Sequence, residues 1–341
     1  MQKSKDFFVT FFFFLNTFLA EAHRFASINK EHMRKKRRFY RGQVNHVYQR
    51  SINGVNLFYG WEDFIVFYTI FAVCARSSGI QVLELCIMLN HFHILIRTSS
   101  VQELSNFMDR FTSWYVTEYN RSIGRKGKLL KKNFGSAPKW DEKAVRNAIN
   151  YVGNNPVEKK LCKRAEEYRW NFLAFAYSNN PFSEPLRKEY ASTALRVALR
   201  EVDNLAEMNL PLKHGRLTRM SQKLNDKETE QLIDYIIKQY LPFDYTELSS
   251  YYDSYETMLT AMHSNTGSEH DIHEEWEPES DHVFHEMIRY IQNSRPGMMA
   301  RKVTTILNED KISLSKELHR NFNVTYRQIC RFLHITPKSI L

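Results

Sequence analysis

Cysteine is scarce in this chain of 341 residues. The four present, Cys74, Cys86, Cys162 and Cys330, are scattered and form no CxxC pair. Neither a zinc ribbon nor a disulfide framework is therefore indicated, and a reducing compartment is the simplest setting. No run reaches the roughly eighteen apolar residues expected of a membrane-spanning helix. The nearest approach is FFVTFFFFLNTFLAEA, from Phe7 to Ala22. No GxxxxGK[ST] loop occurs, so the sequence carries no P-loop for a nucleoside triphosphate, and no internal repeat is evident.

The apolar N-terminal stretch has Lys3 and Lys5 before it and Ala20-Glu21-Ala22 after it, which resembles a secretory signal. The competing reading is a mis-assigned start. Met33 is followed directly by RKKRRFYRGQVNHVYQ, a basic leader running into a first strand, and everything after it reads as cytosolic. The expectation is a hydrophobic and basic leader over residues 1–36, with Met33 as the alternative start.

The chain is otherwise well supplied. With 43% hydrophobic and 14% aromatic residues it can bury a substantial core, and its length suits two or three domains. A formal charge of +10 and a pI of about 9.3 favour polyanionic partners, nucleic acid first among them.

YRGQVNHVYQ, residues 40–49, alternates Val44, His46 and Tyr48 with Asn45, Val47 and Gln49, the period of a strand. WEDFIVFYTIFAVCARSSG opens with Glu62 and Asp63 and closes on Gly79, the signature of a buried helix. QVLELCIM and HFHILI read as a hairpin turning at Asn90, and Val101 to Arg121 as an amphipathic helix. A basic loop, RSIGRKGKLLKKNFGSAPK, leads to a third helix, DEKAVRNAINYVGNN, which Pro156 is expected to end. The order predicts an α+β fold, an antiparallel sheet with helices, followed from about residue 179 by a mainly α-helical C-terminal region. Residues 179–290 form its helical part with an acidic loop, and residues 291–341 resemble a helix-turn-helix in which RQICRFL is the first helix. His270, His273, His282 and His285 stand among carboxylates in an acidic surface loop and are not read as a metal site.

Two features carry chemistry. On a strand, residues i and i+2 share a face, so His91 and His93 of LNHFHILI project together. Such a pair either grips one divalent metal or is a hydrogen-bonded core pair. On a helix, Tyr151 and Asn155 of AINYVGNNP share a face four residues apart. Asn155 can offer a carbonyl oxygen as a third ligand with the Tyr151 hydroxyl beside it, while Tyr151 alone also suits a half-buried core. Arg121, Arg125, Lys126, Lys128, Lys131 and Lys132, with Phe134 as a stacking platform, form either a phosphate-tracking strip or a solvated charge run.

Taken together, HFHILI, the following helix, GRKGKLLKKNFGS and INYVGNNPVEKKL resemble the single-tyrosine HUH transposases, in particular the REP-associated tyrosine transposases, from about Arg37 to Ala176. Leu89 departs from the proline common before Asn-His in that family, a position that shapes the turn. The resemblance implies a ferredoxin-like (RRM-like) HUH domain over residues 37–178. It implies a DNA transposase in which His91, His93 and Asn155 hold Mg²⁺ or Mn²⁺ and Tyr151 is the nucleophile. Single-stranded or hairpin DNA would be cut and rejoined through a 5′-phosphotyrosine. The implied setting is bacterial cytoplasm, nucleoid-associated and without membrane contact, as a monomer or homodimer. The alternative is a domesticated DNA-binding regulator that keeps the fold without needing catalysis.

Overall fold

The alternation in β1 (Val44–Arg50) puts Val44, His46, Tyr48 and Arg50 on one face and Asn45, Val47 and Gln49 on the other. Helix α1 (Trp61–Ser78) carries Glu62 and Asp63 in its first turn, where carboxylates complement the amide end of the helix, and stops at Gly79 in a left-handed conformation. The hairpin of β2 (Gln81–Ile87) and β3 (His91–Arg97) follows. Helix α2 (Val101–Ile123) is capped by Ser100, whose side chain accepts from the Glu103 amide. A short strand, β4 (Gly135–Pro138), precedes α3 (Glu142–Glu158), which Asp141 caps through the Ala144 amide. This computed structural model describes residues 41–264, 282–295 and 298–339. The N-terminal leader, with Met33, and His270 and His273 of the acidic loop lie outside the described residues.

The sheet has the order β2-β3-β1-β4, antiparallel throughout. Strand β3 lies between β1 and β2, the two strands that α1 connects, which makes a split βαβ unit and a ferredoxin-like topology. One sheet face packs on α1 and α2: Phe92 meets Phe67 and Phe111 with ring centroids 5.0 and 5.6 Å apart. Each such buried side chain contributes roughly 1.5–3 kcal/mol. On the other face Leu83, Cys86 and Leu95 pack with Val145, Ala148, Ile149 and Val152 of α3. The sheet is thus sandwiched between helices, and its second face belongs to α3 alone among these three.

Two details differ from the sequence reading. Helix α3 does not end at Pro156 but runs through it to Glu158. Proline removes only its own donor, and so close to the end the ladder resumes, with Lys159 N on Asn155 O at 3.1 Å and Leu161 N on Pro156 O at 2.9 Å. The basic segment is not all loop, because Gly135–Pro138 pairs with β1 as β4. Gly135 is required there, since a Cβ at this position would lie 1.9 Å from the ring of Tyr48, its cross-strand partner.

The remaining helices are α4 (Thr193–Glu207), α5 (His214–Ser221), α6 (Asp226–Gln239), α7 (Tyr245–Ser249), α8 (Tyr255–Ser264), α9 (His282–Ser294), α10 (Asn308–Asn321) and α11 (Tyr326–Leu333). The described residues form one compact unit. On the α1 side, Tyr68 Oη donates to Ile237 O at 2.8 Å and Leu212 N donates to Thr69 Oγ1 at 3.1 Å. At the sheet edge Asp244 N donates to Val82 O at 3.0 Å, and the Asn154 amide of α3 donates to Met262 O of α8. No described helix is long and apolar enough to cross a membrane.

Asp63 is the polar junction of this packing. Its carboxylate is 2.9 Å from His214 Nε2 of α5 and 2.6 Å from Arg301 Nη1, just before α10, and accepts from Tyr59 N at 2.7 Å. Burial pushes its carboxyl up, but the His214 hydrogen bond, the Arg301 charge and the Tyr59 amide together outweigh burial and hold it below its ordinary value. Its stabilising share is therefore complete above the ordinary carboxylate range and lost as the pH falls through the depressed value. Asp63→Ala strands Arg301 and His214 in the interior; the expected cost is about 3–5 kcal/mol, measurable by urea unfolding at neutral pH. A loss below about 1 kcal/mol there is incompatible with a buried junction of this kind.

Candidate active site

His91 and His93 lie on the α3-facing side of β3, opposite Arg50 and Tyr48 of β1 in register. Helix α3 lays Tyr151 and Asn155 over them. The His93 ring centroid is 5.0 Å from that of His91 and 5.6 Å from that of Tyr151, nearly perpendicular to both. His93 Nε2 is 3.4 Å from Asn155 Nδ2. The four residues singled out in the sequence as a chemical set thus come together in one buried cluster, with Tyr151 8% exposed.

Three further side chains belong to it. His46 of β1 places Nε2 at 2.9 Å from His93 Nδ1, with its ring 5.7 Å from Tyr151. Tyr48 stacks on His93 at 6.3 Å, held over Gly135. Asn90 Oδ1 is 2.6 Å from His91 Nδ1. The signal for His46 was in the sequence, as a polar residue on the same alternating face as Tyr48, but only the packing of the side chains across β1 and β3 reveals that it meets His93.

Among the described residues no three His, Cys, Asp or Glu side chains are grouped to hold a metal. The donor set here is instead two imidazoles and an amide. Asn155 Oδ1 is buried with no hydrogen-bond partner among the described residues, an acceptor that a cation would satisfy. With Nδ1 of His91 facing Asn90 and Nδ1 of His93 facing His46, the nitrogen that would ligate from each ring is Nε2, the usual arrangement in which an outer partner orients a ligating imidazole. The residues therefore fit a divalent cation, which His91, His93 and Asn155 would hold.

Gly153 lies between Tyr151 and Asn155 and lets α3 approach its neighbours closely. A Cβ there would come within 2.7 Å of Met262 Sδ and 3.3 Å of Glu84 Oε1. Glu84 of β2 faces Leu95 of β3, two residues along the strand from the Cys86–His93 pair. Both its oxygens are buried without a hydrogen-bond partner among the described residues, and burial holds its carboxyl well above the ordinary range.

The basic segment is spread out. Leu129 O accepts from Ile52 N at 2.9 Å, and Lys131 N donates to Arg50 O at 2.9 Å, so this part runs beside the end of β1 next to His91. Lys126, Lys128, Lys131 and Lys132 are exposed. Arg125 turns back on its own loop, donating to Asn120 Oδ1 and to the carbonyls of Gly127 and Lys128. Arg121 is 3.7 Å from the Glu118 carboxylate, and Phe134 is half-buried against the core.

Residues 43–155, which contain β1 through Asn155, match the family model described as transposase, IS200-like. This segment is similar to IS200-like transposases. A solved structure of a REP-associated tyrosine transposase bound to a REP hairpin is 16% identical, with 40% of this chain and 81% of that one covered at a TM-score of 0.34. No curated protein matches the chain.

Two outcomes are expected of this site. His46→Ala removes the partner that orients His93, which should weaken Mn²⁺ binding, followed by calorimetry, by about 10–100-fold. Burial favours the neutral form of Glu84 in the folded state, whereas the unfolded chain ionises it above the ordinary carboxylate range, so its presence costs stability as the pH rises. Glu84→Gln should therefore raise Tm relative to the parent at pH 8 and lose that advantage toward pH 4; an advantage that grows on acidification contradicts a neutral Glu84.

Proposed function

We propose that this transposase cuts and rejoins single-stranded DNA, including hairpin-bearing strands, with Tyr151 as nucleophile and a divalent cation, Mg²⁺ or Mn²⁺, as cofactor. The observation that carries the reading is the convergence of Tyr151 with His91, His93 and Asn155 between β3 and the last turns of α3. Two imidazoles favour Mn²⁺ in affinity, and cellular abundance favours Mg²⁺.

A phenol with an ordinary pKa near 10 is a weak nucleophile at neutral pH. His91, His93 and Asn155 would hold the divalent cation, which would supply electrophilic assistance at the scissile phosphate and favour the phenolate. Tyr151 Oη then forms a bond to phosphorus as the bond from phosphorus to the 3′-oxygen breaks. The proton lost by the phenol is balanced by the one the departing 3′-oxygen takes up. The product is a 5′-phosphotyrosine and a free 3′-hydroxyl. Because the new ester keeps the phosphodiester's energy, attack by the 3′-hydroxyl of another strand reverses the step without ATP, in keeping with a chain that has no P-loop. His46 and Tyr48 flank His93 and hold its ring, and the packing of α3 on the sheet keeps bulk water from the linkage. A basic chain acting on DNA in this way belongs in the bacterial cytoplasm, near the nucleoid.

The test is a covalent one. Incubated with hairpin-bearing single-stranded DNA and Mg²⁺ or Mn²⁺, the protein should form a denaturation-resistant adduct that chelation abolishes. Tyr151→Phe should form none while still binding the DNA. Binding without an adduct in the parent protein supports the regulatory reading instead.

A further inference from the structure

Residues 51–59, between β1 and α1, are held on two sides. On one side they grip the turn that leads into β3 at His91. Ser51 N donates to Asn90 O and Leu57 N to Leu89 O, both at 2.8 Å. Asn90 Nδ2 donates to Gly54 O at 3.3 Å, and Asn90 Oδ1 meets His91 Nδ1 at 2.6 Å. The amide orientation follows from these partners: a carbonyl can only accept, so Gly54 O takes the amide nitrogen and leaves the oxygen for the imidazole.

On the other side the C-terminal helix closes over the same residues. Asn56 N donates to Arg331 O at 3.1 Å, and Tyr59 Oη donates to Phe332 O at 2.5 Å. His334 Nε2 donates to Asn56 O at 2.6 Å. The last carbonyls of a helix have no partner within it, so α11 holds this segment with acceptors that its own ladder leaves over. Asn56, buried, is tied to the C-terminal residues through both its backbone N–H and its backbone carbonyl.

His334 stands just past the end of α11 with φ 55°, the left-handed backbone at which glycine is the usual occupant. Glycine would avoid that strain; what the imidazole adds is the bond to Asn56 O. Asn53 is left-handed too, at φ 58°. Strain of this kind persists where surrounding contacts over-determine the backbone, and it gathers at functional sites. The two strained residues flank one continuous set of hydrogen bonds that runs from α11 through Asn56 and Gly54 to Asn90 and ends on an imidazole of the proposed cation site.

We infer that α11 and His334 act as a positioning clamp for the metal ligand His91, working through residues 51–59 and Asn90. The inference rests on the proposed metal-dependent reading. It makes the C-terminal helix part of what orients the cation site, because a ligating imidazole depends on the outer partner that fixes its ring.

The experiment measures Mn²⁺ affinity by calorimetry, and Tm, on the full chain. His334→Gly relieves the left-handed strain while removing the bond to Asn56, so Tm should change little while Mn²⁺ affinity falls about 2–30-fold. Tyr59→Phe, which frees Phe332 O, should lower the affinity within the same range. Asn90→Ala, next to the ligand, should lower it about 10–100-fold. Tyr68→Phe is the control: it removes a hydroxyl of the same kind, donated to Ile237 O, and should lower Tm as Tyr59→Phe does while leaving the affinity unchanged. Parental affinity in both His334→Gly and Tyr59→Phe overturns the clamp, as does an equal loss of affinity in Tyr68→Phe. His91→Ala keeps the two readings apart. If it abolishes the Mn²⁺ binding of the parent while the clamp variants bind as the parent does, the clamp is removed and the metal reading stands. If the parent binds no Mn²⁺, or His91→Ala binds it as tightly, the metal reading fails and the clamp falls with it.

Discussion

Asp63 sets the architecture around it. A carboxylate at the first turn of α1 is ordinary on a surface; here it is 2% exposed and must be satisfied from within. His214, Arg301 and the Tyr59 amide do so, and they come from well-separated stretches of chain. Each partner is useless without the other elements in place, so the junction favours one arrangement of the later helices against α1 over the looser alternatives that apolar contact alone would allow. Fixing Tyr59 has a further effect, because Tyr59 Oη is also what holds the end of α11.

The sheet divides the labour. Its α1–α2 face is aromatic and aliphatic, with Phe67, Phe71, Phe92 and Phe111 meeting edge to face, and it supplies rigidity. Its α3 face carries the imidazoles and tyrosines. Strand β3 takes part in both: Phe92 and Ile94 are locked into one layer, and the alternation of the strand thereby fixes where His91 and His93 stand in the other. Precision at the chemical residues is inherited from packing on the opposite side of the same backbone.

Much of this was legible in the sequence because it follows from short-range periodicity. The two-residue period gave His91 and His93 a common face, the helical period did the same for Tyr151 and Asn155, and Gly79 marked the end of α1. What was hidden depends on long-range pairing. GSAP has little strand propensity of its own and becomes β4 only because β1 offers an edge and Tyr48 needs Gly135 beneath it. His46 looked like one more core-strand residue, yet from its place opposite Leu95 it reaches diagonally to His93. Pro156 was read by its local habit of ending helices, whereas its place one turn from the end makes the lost hydrogen bond cheap. The docking of α11, likewise, is written in no periodicity; it lies in backbone carbonyls that accept from Tyr59 and Asn56.

The continuation of α3 through Pro156 to Glu158 has an electrostatic meaning. Asn155 and Tyr151 stand in the closing turns of that helix, where aligned peptide dipoles leave a partial negative charge of about half an electron. That end of a helix welcomes a cation and repels a phosphate. On the proposed reading, the potential around Asn155 opposes a phosphate until positive charge is bound beside it. A helix end of this polarity favours a cation over an anion as its first occupant.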